Sequence, residues 1–368
     1  MLEFLNLEPE SFGLDINDSS FKIIKLKKRH GFLRPVSFNE KEIPQGIVND
    51  GIIQDEDAFV KNLKEALSSV KGEKLKTKYV VCSLPEEKSF SQVIQMPKME
   101  MEELKSAVPF EAENYIPLPA NQMYLGFRKI ISDADHLDHL DILIVAIEKT
   151  LVDSYLACLK KAGLMPLALE VETQSIARAL IKSKTSLAPV ALIDFGSDTT
   201  DFIVYSGRSV RFTSSISTSS EQVTKAISEE LGISSKEAEH MKVKYGLESE
   251  GPSHRAKAVS KAVKPVLYEL IAGIQKYLDY YSGHDFHEHL AKDNSKKNKI
   301  EKIILSGGGA NLKGINKFLS EKISMPVEFG NPLINFPNIK KGVLPEFQKN
   351  YLSFATAIGL ALRGYDNE

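Results

Sequence analysis

The sequence predicts an α/β protein of two lobes, and three observations carry that prediction. The chain has 368 residues, more than one ordinary core organises. Apolar strands alternate with amphipathic helices along most of its length. Three times an apolar strand ends in a turn of small polar residues: "FGLDINDSSF", "ALIDFGSDTTDF" and "IILSGGGAN".

Residues 12–26 read as strand, turn, strand, and a third strand follows near 31–43. "DEDAFVKNLKEALSSV" places Phe59, Val60, Leu63, Ala66, Leu67 and Val70 on one helical face, with Asp55 or Asp57 able to cap its start. "KYVVCSLP" is an apolar, central strand. Residues 84–148 read as a separate module, with a helix broken around Pro109 and two strands, "MYLGFRKII" and "DILIVAIE", joined by an acidic tip. "KTLVDSYLACLKKAGL" is a helix that Gly163 can stop. "LALEV" and the helix "TQSIARAL" return to the first lobe.

The second half starts with the strand at 191. Two helices follow, closed by Gly232 and Gly246, and Ser234 with Glu237 fits a capping box. Residues 255–282 form one long helix. "IEKIILSGGGANLKGINKFL" is strand, glycine turn, helix, and "YLSFATAIGLAL" closes the chain as a helix.

Composition narrows the function. Charged residues make up 26% and the net charge is −2, so nothing suggests global attraction to nucleic acid. Cys82 and Cys158 read as buried thiols of a reducing compartment. No basic leader, membrane-length apolar run or basic amphipathic tail is expected to anchor the chain. The expectation is a cytoplasmic protein that meets a membrane through a partner, without direct insertion.

The three turns carry the chemistry. Glycines, hydroxyls and free backbone N–H groups make a concave anion site. Asp15 and Asp194 stand just before two of these turns, where a carboxylate tolerates phosphate only with a divalent cation between them. The first two turns would clamp a polyphosphate, and Gly307–Gly309 would let a base or sugar lie against the backbone. A strand-end Asp often does no more than cap a turn; two in matched contexts beside a triple glycine favour a nucleotide site. No P-loop occurs. His284, His287 and His289, with Asp285 and Glu288, lie in a polar stretch without cysteine and read as loop, as do His136 and His139 at the hairpin tip.

These segments resemble the motifs of the actin-like ATPases. "FGLDINDSSFKIIKL" resembles the first phosphate motif, "ALIDFGSDTTDFIVY" the second, and "IILSGGGANLKGINKFL" the adenosine motif. "LEVETQSIARAL" and "FATAIGLAL" resemble the two connecting helices of the hinge. Within the superfamily, "AENYIPLP" and "EAEHMKVKYG" carry a likeness to the type IV pilus assembly protein PilM family, with the cell-division protein FtsA family second.

The resemblance implies an actin-like (ribonuclease H-like) two-lobe ATPase fold. Residues 1–188 would form the first lobe, with an inserted small α+β subdomain at about 84–148; residues 189–368 would form the second, with a mainly helical region at about 219–299. ATP and Mg²⁺ are the implied cofactors. Asp15 and Asp194 would orient the metal through water. Asn17, Asp18, Ser19, Ser20 and Lys22, and Gly196, Ser197, Asp198, Thr199 and Thr200, would line the phosphates. Glu239 and Lys242 would approach the ribose, and Gly307, Gly308 and Gly309 the adenosine. Glu172 is the candidate for positioning a catalytic water. Asn17 and Ser219–Ser220 replace glycines of the family pattern and add side chains where phosphate approaches.

The implied role is a scaffold that grips the N-terminal cytoplasmic tail of a PilN-like inner-membrane protein, with nucleotide setting lobe closure. Tyr115, Ile116 and Leu118 are the candidate peptide groove; packing of the module against its neighbour is the other reading of that stretch. Two alternatives stay open: an active ATPase or small-molecule kinase, and a self-associating, FtsA-like polymer.

Overall fold

A computed structural model describes residues 9–29, 32–130, 138–247, 254–284, 299–336, 347 and 350–365. His136, His287, His289, Asp285 and Glu288 lie outside them. The first strands are β1 (Phe12–Ile16), β2 (Ser20–Arg29) and β3 (Phe32–Glu42), then the short β4 (Val48–Asn49) and β5 (Ile52–Ile53). Helix α1 (Glu56–Ser68) starts on Asp55, whose carboxylate accepts the Ala58 N–H. β6 (Lys71–Gly72) and β7 (Tyr79–Leu84) follow.

The inserted module is β8 (Ser89–Pro97), α2 (Met101–Ala112), β9 (Met123–Lys129) and β10 (His139–Glu148). Helix α2 runs unbroken through Pro109, against expectation. Pro109 sits three residues from its end, where one missing backbone donor ends little. β8 is a strand that its mixed polar sequence did not announce.

The chain continues with α3 (Lys149–Lys161), β11 (Met165–Val171), α4 (Glu172–Leu180), β12 (Ser186–Phe195), β13 (Thr200–Gly207) and β14 (Ser209–Ile216). Helices α5 (Ser220–Leu231), α6 (Ser235–Tyr245) and α7 (His254–Gly283) come next, then β15 (Ile303–Ser306), α8 (Ile315–Ile323), β16 (Val327–Phe329) and α9 (Ala355–Arg363).

Three main sheets result, ordered β11-β7-β1-β2-β3-β6, β8-β10-β9 and β14-β13-β12-β15-β16. β1 is antiparallel to β2 and parallel to β7. β12 is antiparallel to β13 and parallel to β15. The six-stranded and five-stranded sheets each thus join a hairpin to parallel strands, whereas β8 and β10 pair antiparallel.

The chain forms two compact units. One holds Met1–Lys88, Glu148–Ala179 and Pro332–Glu368; the other holds Ser89–Ile147 and Leu180–Asn331. This differs from a division at residue 188 in two ways. Helix α9 packs on the first sheet, where Ile358 and Ala361 join Ile24, Leu26 and Phe38 in one core. A Cβ at Gly359 would collide with the Ser175 carbonyl, and one at Gly13 with that of Ala357, so glycine permits both close approaches. The inserted module falls in the second unit, where Asp141 of β10 accepts from Arg211 of β14 at 3.1 Å. The side chains of that ion pair are 1% and 3% exposed.

Candidate functional site

The first acidic turn is built at the carboxyl end of β1. Ser83, on the parallel neighbour β7, donates to Asp15 Oδ1 at 3.2 Å and accepts the Ile16 N–H at 2.8 Å. Lys22 Nζ stands 3.9 Å from the other Asp15 oxygen and donates to Ser20 Oγ at 3.1 Å. Asp15 is 3% exposed. Burial raises its pKa above the ordinary Asp value, opposed by the Lys22 charge and the Ser83 hydroxyl.

Within the turn, Asn17 Oδ1 accepts from the Ser19 and Ser20 N–H groups at 3.2 and 2.8 Å. It also accepts from both serine hydroxyls, each at 3.2 Å. The Asn17 carboxamide therefore engages the N–H donors of its own loop. The Asp18 carboxylate turns instead to the β4–β5 hairpin, taking the Asp50 and Gly51 N–H groups at 2.6 and 2.9 Å. Glu172 opens α4 directly after β11, and Val171 is in register with Leu84 at the same strand-end edge. Its charge and that of Asp15, after burial, raise the pKa of the Cys82 thiol. Cys158 is also buried, its pKa pushed up to about 11.

The second turn repeats this design. Asp194 of β12 is in register with Ser306 of its parallel neighbour β15. Ser306 Oγ donates to Asp194 Oδ1 at 2.6 Å. The Gly196 N–H reaches the Thr199 carbonyl at 3.0 Å. A Cβ on Gly196 would lie 2.7 Å from that oxygen. Ser197 Oγ donates to Asp198 Oδ2 at 2.7 Å, and Thr200 Oγ1 to the Thr218 carbonyl at 2.6 Å.

The Gly196 and Ser197 carbonyls take the Ser220 and Glu221 N–H groups at 2.9 and 3.1 Å. The hairpin tip thereby docks onto the start of α5. Ser219 caps that helix in a capping box with Gln222, a local job for serine where the family pattern has glycine.

The glycine turn meets the same hairpin. Gly307 has φ +89°, and a Cβ there or on Gly309 would collide with Phe195. Gly308 opens the 3-10 turn Gly308–Asn311. Lys242 Nζ donates to Ser220 Oγ at 2.8 Å and Thr224 Oγ1 at 2.9 Å, and pairs with Glu239 at 2.6 Å. Thr224 Oγ1 donates to Glu239 at 2.7 Å. Glu239 and Lys242 thus meet at α5, linked through Ser220 to Gly196.

In the module, Ile116 is core, packed with Leu104, Val108 and Ala112. Tyr115 and Leu118 are exposed. His284 stacks on Tyr280 with ring centroids 4.1 Å apart. Among the described residues no three His, Cys, Asp or Glu side chains group to hold a metal unaided.

The sequence reading missed Ser83. Its signal was a hydroxyl inside an otherwise apolar strand.

The family model of the type IV pilus assembly protein PilM matches residues 13–365. The chain belongs to that family. It is also 26% identical over 220 residues to cell division protein FtsA of Neisseria meningitidis serogroup B (strain ATCC BAA-335 / MC58), covering 56% of this chain and 52% of that protein. The chain thus spans about half the length of that curated relative.

The structure is similar to that of a PilM-PilN type IV pilus biogenesis complex, with TM-score 0.79, 24% identity and coverage of 98% of this chain and 99% of the other. It is similar to ethanolamine utilization protein EutJ of Carboxydothermus hydrogenoformans, at TM-score 0.56, 14% identity and coverage of 96% and 89%. It is similar to MreB5 of Spiroplasma citri bound to ADP, at TM-score 0.55, 13% identity and coverage of 96% of each chain. The fold is actin-like, as the three turns implied. Among the described residues no helix is long and apolar enough to cross a membrane.

Proposed function

We propose that the chain is an ATP-binding, cytoplasmic scaffold of type IV pilus assembly that binds the N-terminal tail of a PilN-like inner-membrane protein. One observation carries the nucleotide half of this reading. In each unit a carboxylate stands at the carboxyl end of a parallel strand and takes a serine hydroxyl from the neighbouring strand: Asp15 with Ser83, Asp194 with Ser306. Crevices at the carboxyl ends of parallel strands are where α/β sheets bind ligands.

The residues fit Mg²⁺-ATP. Asp15 is a buried carboxylate whose ionised form burial disfavours, and a cation would relieve that. With one carboxylate per turn, Mg²⁺ would complete its shell with water and phosphate oxygens. When bound, it would neutralise phosphate charge. Within the first unit Ser19 and Ser20 would offer donors to phosphate; within the second the Gly196–Thr200 turn would do so, and Gly307–Gly309 would meet the adenosine. Ser83 and Ser306 orient the carboxylates. Glu172 remains the candidate for orienting a water, and Asn17, whose carboxamide already takes the Ser20 N–H, would weaken phosphate capture in this turn.

The tail-binding half is supported by family membership and by the likeness to the PilM-PilN complex. Tyr115 and Leu118 would receive the peptide, with Ile116 holding their loop on the module core. Nucleotide would act by preferring one conformation of the chain.

The test is calorimetric titration of the purified chain with ATP and Mg²⁺, then with a PilN-like tail peptide in the presence and absence of nucleotide. Loss of ATP binding in Asp194→Ala, with peptide capture weakened in Tyr115→Ala, is expected. Sustained phosphate release abolished by Asp194→Ala would instead make the chain an enzyme, and filaments with ATP would make it a polymer.

A further inference from the structure

We propose that the end of the six-stranded sheet remote from the acidic turn is a basic surface that adsorbs, without insertion, to an anionic lipid bilayer. Its described residues come from "KLKKR" at 25–29, "FLR" at 32–34 and "KGEKLKTK" at 71–78. Together they hold nine Lys and Arg against one Glu, in a chain whose net charge is −2; Lys25 is buried, which leaves eight of the cations for the surface. Such segregation is a local field, not a consequence of composition.

The fold brings the segments together. β3 pairs with β6, with Ser37 opposite Gly72. The Glu73 N–H reaches the Val36 carbonyl at 2.9 Å, and Ser37 Oγ reaches the Glu73 carbonyl at 2.6 Å. Further on, Thr77 Oγ1 donates to the Glu10 carbonyl at 2.6 Å, which ties the segment to the residues leading into β1. Two carboxylates lie among these cations: Glu10 pairs with Lys25, and Glu73 with Lys27 and Arg29. Lys28, Lys74, Lys76 and Lys78 face solvent.

A bilayer fits this surface better than another polyanion because of Phe32. It opens β3 opposite Arg29 and is 39% exposed beside the cations. An aromatic ring among cations suits the headgroup region, which accepts an apolar body with a polar surround. β2 spans about 30 Å from Ser20 to Arg29, so adsorption at this end leaves the Asp15 turn clear of the lipid.

The experiment is co-sedimentation of the full chain with vesicles of phosphatidylcholine, with and without phosphatidylglycerol. Binding is expected only with phosphatidylglycerol, and it should weaken as salt is raised. Lys28→Glu/Lys74→Glu/Lys76→Glu should lower vesicle affinity by more than about tenfold, since each basic residue near an anionic surface contributes roughly fivefold. Its melting temperature should match the parent; the corresponding triple glutamine variant replaces it if the charge reversals impair folding.

Phe32→Ser should weaken adsorption severalfold while leaving its salt dependence intact. Binding that ignores phosphatidylglycerol, or that survives both triple variants, overturns the proposal. So does tighter binding to a DNA duplex than to vesicles together with indifference to Phe32→Ser, which would make the surface a nucleic-acid site.

Discussion

Asn17→Gly isolates the feature that sets this chain's first turn apart. The Asn17 carboxamide oxygen takes two backbone N–H groups, of Ser19 at 3.2 Å and of Ser20 at 2.8 Å. Those are the donors a phosphate oxygen would need. An incoming nucleotide must therefore exchange two existing hydrogen bonds rather than fill vacant ones. A neutral hydrogen bond is worth about 0.5–1.5 kcal/mol net, so two amount to about 1–3 kcal/mol. That corresponds to roughly 5- to 150-fold in dissociation constant. Removing the same contacts should destabilise the turn by about 1 kcal/mol, because Asn here acts as an Asx cap. The assay is titration of parent and variant with ATP and Mg²⁺, with AMP as the control lacking the outer phosphates, alongside urea unfolding. The variant should bind ATP more tightly and AMP as the parent does. Equal ATP affinity in the two proteins, or an equal gain for AMP, would refute the idea that the carboxamide competes with phosphate.

Gly359→Ala should force α4 and α9 apart, because the added Cβ meets the Ser175 carbonyl; overpacking of this kind costs about 1–3 kcal/mol, read as a lower urea midpoint, and an unchanged midpoint would contradict the close crossing. Arg211→Met leaves the buried Asp141 carboxylate with His139 Nε2 at 3.5 Å in place of its arginine and should cost up to about 3–5 kcal/mol, with part of the loss recovered in Arg211→Met/Asp141→Asn; strictly additive losses in the double variant would show that the pair is not coupled. Asp15→Asn should raise the melting temperature at neutral pH. Burial lifts the folded carboxyl's pKa above its unfolded value, so its stabilising contribution is present below the unfolded pKa and lost as pH rises through the folded one. The gain should vanish near about pH 3, where both forms are neutral; a variant that melts lower than the parent at neutral pH would reverse the sign of this argument.

What could be read from the sequence was what depends on neighbours along the chain. The hairpin around Asn17 was legible because alternating apolar residues flank a cluster of turn formers, and its hydrogen bonds span only two or three residues. The caps at Asp55 and Ser234 were legible for the same reason. β8 and β14 were not: "SFSQVIQMP" and "SVRFTSSI" carry too many polar residues for a periodic signal, and both gain their strand character by pairing. The feature that carries the proposed site was the least legible of all. Ser83 meets Asp15 across 68 residues and Ser306 meets Asp194 across 112. Each contact depends on the register of two parallel strands joined by a long crossover, which packing sets and no local pattern encodes. The same architecture therefore recurs in two sheets through unlike sequences, "VVCSLP" and "IILSGG". A shared arrangement reached through different strands is explained by a shared requirement: a carboxylate held at a strand end needs one fixed donor to orient it, whatever strand supplies the hydroxyl.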